Sequence, residues 1–432
     1  MNFFKQWANF MLAGARAHAR WEMDMAKNIL GSRKRMLVLG LLIVPVIVGG
    51  IAFADQIAGG LPDFLGGKKA YSPAYFTMGI FLASIFIGLG AGLITGCIGA
   101  GGGFIIAPAL MSAGIKGILA VGTDLFHIFA KAIMGSVIHR KLGNISVALA
   151  LIFLIGAILG ATGGGMINRV LYEINPVLSD AFITTIYVLM LGILGFYALV
   201  DFLRARKRGT DVGAHGHGGP EKSEGADLGS LPQRLQAMRI PPMVTFDKGV
   251  VPGGRQISSI FLVLSGALVG FAAAIMGVGG GFLTFPIFVY TLGVSSMTTV
   301  GTDIFQIVFT AGYAAISQYA IYGFIFYTLA MGMLLGSLIG IQIGAMVTKV
   351  VKGITIRGFY AMAVLAGFIN RIFALPGKLS DLEVISISPA AVKILNGIGS
   401  WAFFLVIGGF AVWVFYTFFS NLGRLRGAEV SS

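Results

Sequence analysis

Long apolar runs separated by short polar breaks organise the chain. Runs of roughly twenty residues fall near 37–54, 74–97, 118–138, 145–166, 181–203, 257–276, 298–320, 324–347 and 398–420, with a shorter one at 356–370. An α-helix needs ~20 apolar residues to cross the ~30 Å hydrocarbon layer of a bilayer. A transmembrane β-strand would show ~10-residue segments of alternating polarity, and these runs do not alternate. The pattern predicts an all-α polytopic membrane protein. Two further segments, 103–117 and 281–294, are too short for ordinary crossings and read as parts of broken helices.

The runs repeat. GAGGGF at 99–104, Pro108 and VGTDLF at 121–126 return as GVGGGF at 277–282, Pro286 and VGTDIF at 300–305. The offset is 178 residues at the glycines, 179 at the GTD motif, and 180 where Gly156, Gly160 and Gly164 match Gly336, Gly340 and Gly344. An offset that drifts only at loops implies duplication of one helical unit. The expected organisation is an interfacial amphipathic segment (1–36), an extra helix with an external loop (37–73) and a first repeat (74–203). A polar cytoplasmic loop (204–255), a second repeat with a terminal helix (256–420) and a cytoplasmic tail (421–432) follow.

Composition agrees. Only 11% of residues are charged and 56% are apolar, against about 25% charged in soluble domains. That excludes an ordinary globular enzyme and a disordered chain. The net charge of +14 could suggest nucleic acid, but the basic residues sit between apolar runs, where they report topology. The basic N-terminus, HRK at 139–141, RARKR at 204–208 and Arg424/Arg426 should all be cytoplasmic, giving a plasma-membrane protein with both termini inside. These constraints agree if each short segment completes a crossing, which makes the repeats inverted, as in many secondary transporters. A parallel repeat with re-entrant short segments is the rival arrangement.

Candidate chemistry lies at the breaks. Three consecutive glycines hold a helix poorly, at about 1 kcal/mol each relative to alanine. The freed N–H groups at the following helix start can bind an anion. Gly101, Gly102 and Gly103, with Gly279, Gly280 and Gly281, are therefore candidates. Asp124 and Asp303 are acids within apolar stretches, costly there unless partnered or facing water. Each either caps a helix beginning at its motif, lines the site or couples transport to protons or sodium. His127 and Lys131 share a helical face with Asp124, and Gln306 and Thr310 are their counterparts. Lys131 either pairs with Asp124 or meets a substrate anion. The glycine triplets in the later runs read as close-packing stripes, and Cys97 as a small buried filler. One cysteine excludes an internal disulfide and a multi-cysteine metal site, and no cofactor motif is visible.

The paired GAGGGFIIAPAL, VGTDLF, GSVIHRKLGNIS, GVGGGFLTFPIF and VGTDIF segments resemble the TauE/SafE sulfite-exporter family over about residues 76–420. The resemblance implies a non-enzymatic secondary transporter for sulfite, sulfate or organosulfonates, often an exporter. It makes Gly101–Gly103, Thr123, Gly279–Gly281 and Thr302 substrate-site candidates. Aspartate follows GT here where many members carry serine or asparagine. Implied partners are a small anion, a coupling proton or sodium ion, and the bilayer; a homodimer is compatible. An ion or metal channel, a cation-coupled carrier of another small anion and, more remotely, an aspartyl intramembrane enzyme remain alternatives.

Overall fold

The computed structural model describes residues 56, 59–62, 75–98, 102–141, 145–208, 230–247, 253–348, 350–351 and 353–422. The segments expected at 1–36 and 37–54, and the tail at 423–432, lie outside these. Helices α1 (Met78–Ile98), α2 (Gly103–Ser112), α3 (Gly117–Lys141), α4 (Val147–Ile174) and α5 (Pro176–Arg208) form the first copy. After α6 (Ser230–Ala237) and the strands β1 (Met243–Phe246) and β2 (Arg255–Ser258) comes α7 (Ser259–Met276). It is followed by α8 (Gly281–Pro286) with a π-helical turn to Leu292, then α9 (Ser296–Tyr313), which continues to Tyr322. Helices α10 (Tyr327–Val347), α11 (Gly353–Asp381) and α12 (Pro389–Ser420) complete the described chain.

Eight of the described helices are long and apolar enough to cross a membrane. Helix α3 has the length, at 25 residues, but Asp124, His127 and Lys131 interrupt its apolar run. Large apolar side chains such as Phe86, Leu159, Ile193 and Leu405 are more than 60% exposed. Outward apolar side chains on spanning helices are what a lipid environment requires. The protein is thus an all-α, multi-pass membrane protein.

Glycine decides which helices touch. A methyl group on Gly88 or Gly92 would meet the backbone of Met333 or Ser337 at 2.1 and 2.4 Å, and one on Gly336 would meet the Ile85 carbonyl at 1.9 Å. Helices α1 and α10 therefore lie backbone against backbone, with numbers rising together, so they run parallel. Helices α4 and α7 do the same. Methyl groups on Gly156 and Gly160 would meet the carbonyls of Val263 and Ala267 at 1.9 and 2.0 Å, and one on Gly270 the carbonyl of Ala157 at 2.1 Å. The expected close-packing stripes are present, but their partners are crossed. The first helix of each copy rests on the fourth helix of the other.

The third and fifth helices meet their own counterparts head to tail. Gly122 faces Tyr319 while Phe129 faces Gly312, so α3 and α9 are antiparallel. Gly192 faces Phe368 and Gly358 faces Phe202, so α5 and α11 are antiparallel too.

Several boundaries differ from the hydropathy reading. Helix α11 runs from 353 to 381, well past the expected end at 370, because Asn370 and Arg371 are buried within the bundle. The stretch expected as a polar loop contains α6 and a hairpin pairing Val244 with Ile257 and Phe246 with Arg255. Asp247 accepts hydrogen bonds from the Ser295 amide and hydroxyl at 2.9 and 2.8 Å. Arg255 donates to the Gly293 carbonyl at 2.9 Å, and Gln236 to that of Leu292 at 2.8 Å. The hairpin is thereby fastened to the link between α8 and α9.

Candidate functional site

The two glycine breaks meet in the middle of the bundle. Gly102 and Gly280 stand before α2 and α8 with φ of 69° and 88°, a left-handed conformation that glycine adopts without strain. A methyl group on Gly103 would reach the Cα of Val278 and the Cδ1 of Ile128, both at 2.9 Å. One on Gly279 would reach Ile128 Cγ2 at 2.7 Å. Ile128 of α3 thus lies between the breaks, and its counterpart Ile307 lies 3.1 Å from a methyl on Gly281. No side chain caps α2 or α8. Gly101 is outside the described residues.

The GTD motifs do not begin helices. Helices α3 and α9 start at Gly117 and Ser296, and Ser295 caps the latter. That overturns the reading of Asp124 or Asp303 as the cap of a helix starting at its motif. The threonines act across the copies. Thr123 Oγ1 accepts from the amide of Phe326, the residue before α10, at 3.0 Å. Thr302 Oγ1 accepts from the amide of Ser146, the residue before α4, also at 3.0 Å. Each hydroxyl satisfies one of the amides that a helix start leaves without a partner.

The aspartates diverge. Asp303 accepts from Gln306 Nε2 at 2.9 Å, Thr310 donates to Gln306 Oε1 at 2.7 Å, and Thr284 donates to the Gly280 carbonyl at 3.1 Å. Its Oδ2 lies 3.0 Å from the methyl position of Gly281, beside the start of α8. Asp124 is fully buried, near the Ala107 backbone. Neither of its oxygens, nor the Nδ1 of His127 3.6 Å away, has a hydrogen-bond partner of good geometry. His127 Nε2 bonds Ser337 Oγ of α10 at 2.8 Å. Lys131 interacts electrostatically with Asp124 and reaches Thr95 Oγ1 at 3.5 Å. Thr95 in turn stands 2.5 Å from the methyl position of Gly102. Six of the expected residues, Gly102, Gly103, Asp124, His127, Lys131 and Gly279, therefore surround the first break, whereas Gly280, Gly281, Asp303 and Gln306 form a closed network at the second.

Several contributors carry no motif. The α7 carbonyls ahead of the second break are held by Tyr319 at Ala274, Asn168 at Ala274 and Ile275, and Tyr187 at Met276. The only sequence signal for them is a polar side chain inside an apolar run. Cys97 is buried, with its Sγ 3.4 Å from the Gly344 carbonyl, as a packing residue should be.

A Bacillus subtilis (strain 168) protein named probable membrane transporter protein YjnA is 26% identical over 269 residues, covering 60% of this chain and 87% of its own length. No solved structure matches the chain. The family described as sulfite exporter TauE/SafE matches residues 84–371, which contain both breaks, both GTD motifs and the helices of the two copies from Ser84 within α1 to Arg371 within α11. The chain belongs to the TauE/SafE family of membrane transporters.

Proposed function

We propose that the protein is a secondary transporter of a small sulfur-containing anion, such as sulfite, sulfate or an organosulfonate, bound where the two glycine breaks meet. The observation that carries this reading is the contact of Gly103 and Gly279 with Ile128. It brings the amide-rich start of α2 into the bundle centre, beside Lys131. Unsatisfied helix-start amides favour an anion, and a lysine adds a charge-assisted donor. Asp124 and His127, buried side by side without full partners, supply a place where a coupling proton can be taken up and given back.

The copies are read as inverted repeats. The antiparallel packing of α3 on α9 and of α5 on α11 supports this, as does the crossed packing of first on fourth helices. In that arrangement alternating access is a rocking of one crossed pair against the other around a fixed site. For a negative-inside cell a dianion is driven outward, at about 2.3 kcal/mol per charge per 100 mV, which favours export.

The test is flux. Purified protein in liposomes should move sulfite or a sulfonate saturably, with counterflow by unlabelled anion. Ohmic current without saturation would identify a channel instead, and absence of flux for every sulfur anion would overturn the reading.

A further inference from the structure

Arg371 lies inside α11, only 3% exposed. Its Nε and Nη2 donate to Asn370 Oδ1, and Nη2 also to Ser112 Oγ at 2.9 Å and the Pro108 carbonyl at 3.3 Å. Nη1, with two N–H groups, bonds nothing among the described residues, and no described carboxylate stands within ion-pair distance. Asp180 of α5 acts on Arg371 from farther away. Its own oxygens are taken by Lys378 Nζ at 3.0 Å and the Gly117 amide at 2.6 Å. Two cations face one engaged carboxylate, so the cluster holds an excess of one positive charge. A buried charge without a counterion is expensive, most of all in a lipid-embedded bundle.

A second group points to the same place. Asp180, Thr184 and Tyr187 occupy one face of α5 at i, i+4 and i+7, and the outer two both stand in the neighbourhood of Arg371. Thr184 between them is fully buried and its hydroxyl has no partner. A helix-interior threonine can bond the carbonyl four residues back, as adjacent Thr185 does with Ala181 at 2.8 Å. Thr184 forgoes that bond.

We propose that Arg371 and Thr184 form an oxyanion subsite for one sulfite-, sulfonate- or carboxylate-like headgroup, distinct from the Lys131 side of the centre. Nη1 offers its two N–H groups to the oxygens of such a group, and the Thr184 hydroxyl supplies a further contact, while Ser112, whose hydroxyl donates to Asn370 Oδ1 at 3.1 Å, holds Nη2 in place. The bound monoanion cancels the excess charge. Tyr187 links the subsite to the centre, since its hydroxyl bonds the Met276 carbonyl at the second break and it stands in the neighbourhood of both Asp124 and Arg371. The subsite lies towards the end of the bundle where α3 and α5 begin. This inference rests on the anion-carrier reading above.

The experiment follows the thermal midpoint of the full-length protein in detergent during sulfite titration at constant ionic strength. Arg371→Gln should raise the half-maximal sulfite concentration about tenfold or more while leaving the unliganded midpoint equal to or above that of the parent, because an uncompensated charge has gone. Thr184→Val, nearly isosteric, should raise it roughly threefold to tenfold, and Arg371→Lys should retain part of the response. A lower unliganded midpoint with unchanged sulfite dependence in Arg371→Gln would make Arg371 a structural tie and overturn the subsite. If Lys131→Ala weakens the response while Arg371→Gln does not, the subsite fails and the central site stands. If sulfite, sulfate, methanesulfonate and acetate all leave the parent unchanged, both readings fail.

Discussion

Asp124 and Asp303 occupy the same place in duplicated motifs, yet their surroundings assign them different work. Asp303 is held by Gln306, itself held by Thr310, whereas Asp124 has His127 at 3.6 Å and no good hydrogen bond. Asp124→Asn should therefore change the pH dependence of sulfite flux. Asp303→Asn should leave that profile in place and lower stability by about 1 kcal/mol, the worth of a typical hydrogen bond. Paired pH–flux curves in liposomes check this, and a profile altered only by Asp303→Asn would reverse the assignment. Lys131→Ala should weaken anion affinity about tenfold to a hundredfold, matching the ~1.5–3 kcal/mol of a charged hydrogen bond, with membrane insertion unchanged. The asymmetry was partly legible, because His127 and Lys131 have uncharged counterparts in Gln306 and Thr310. Arg371 was not, because hydropathy ends its run at residue 370, one short of the arginine. Only the packing of α11 on α5 and α2 buries it.

At the level of helices, glycine spacing is a reliable sign of close approach and a poor sign of partner. The stripes at 156, 160, 164 and 336, 340, 344 are plain in the sequence, and every one of these glycines meets a neighbouring backbone. A stripe carries no information about which helix faces it, so the crossed pairing of α1 with α10 and α4 with α7 could not be read. Nor could the hairpin, whose four-residue strands sit in a Gly- and Pro-rich stretch without alternation long enough to register. The packing makes a sharp comparison possible. Gly156→Ala places a methyl 1.9 Å from the Val263 carbonyl, whereas Gly163→Ala meets only the Phe271 ring at 3.9 Å. The first should cost about 1–3 kcal/mol or more through overpacking and lower the thermal midpoint by several degrees, while the second should leave it close to the parent. Equal midpoints would mean that α4 and α7 are not in backbone contact.

For the whole molecule the deciding property is the direction of each helix. Helices α4 and α5 are joined through Asn175 alone, and α10 and α11 through residues 348–352, so the chain reverses at both links. Since α1 runs parallel to α10, α4 parallel to α7, and α5 antiparallel to α11, α1, α3, α4 and α5 each oppose their counterparts. The basic RARKR end of α5 belongs in the cytoplasm under the positive-inside rule. On that expectation the end of α11 and the start of α12 lie outside. Lys207 and Lys393 are both exposed and report the two ends. In a Cys97→Ala background, a cysteine at position 393 should react with a membrane-impermeant maleimide on intact cells. One at position 207 should react only after the membrane is opened. Equal labelling of both from the same side would make the repeats parallel and the short helices re-entrant, and would remove the symmetry on which the rocking mechanism depends.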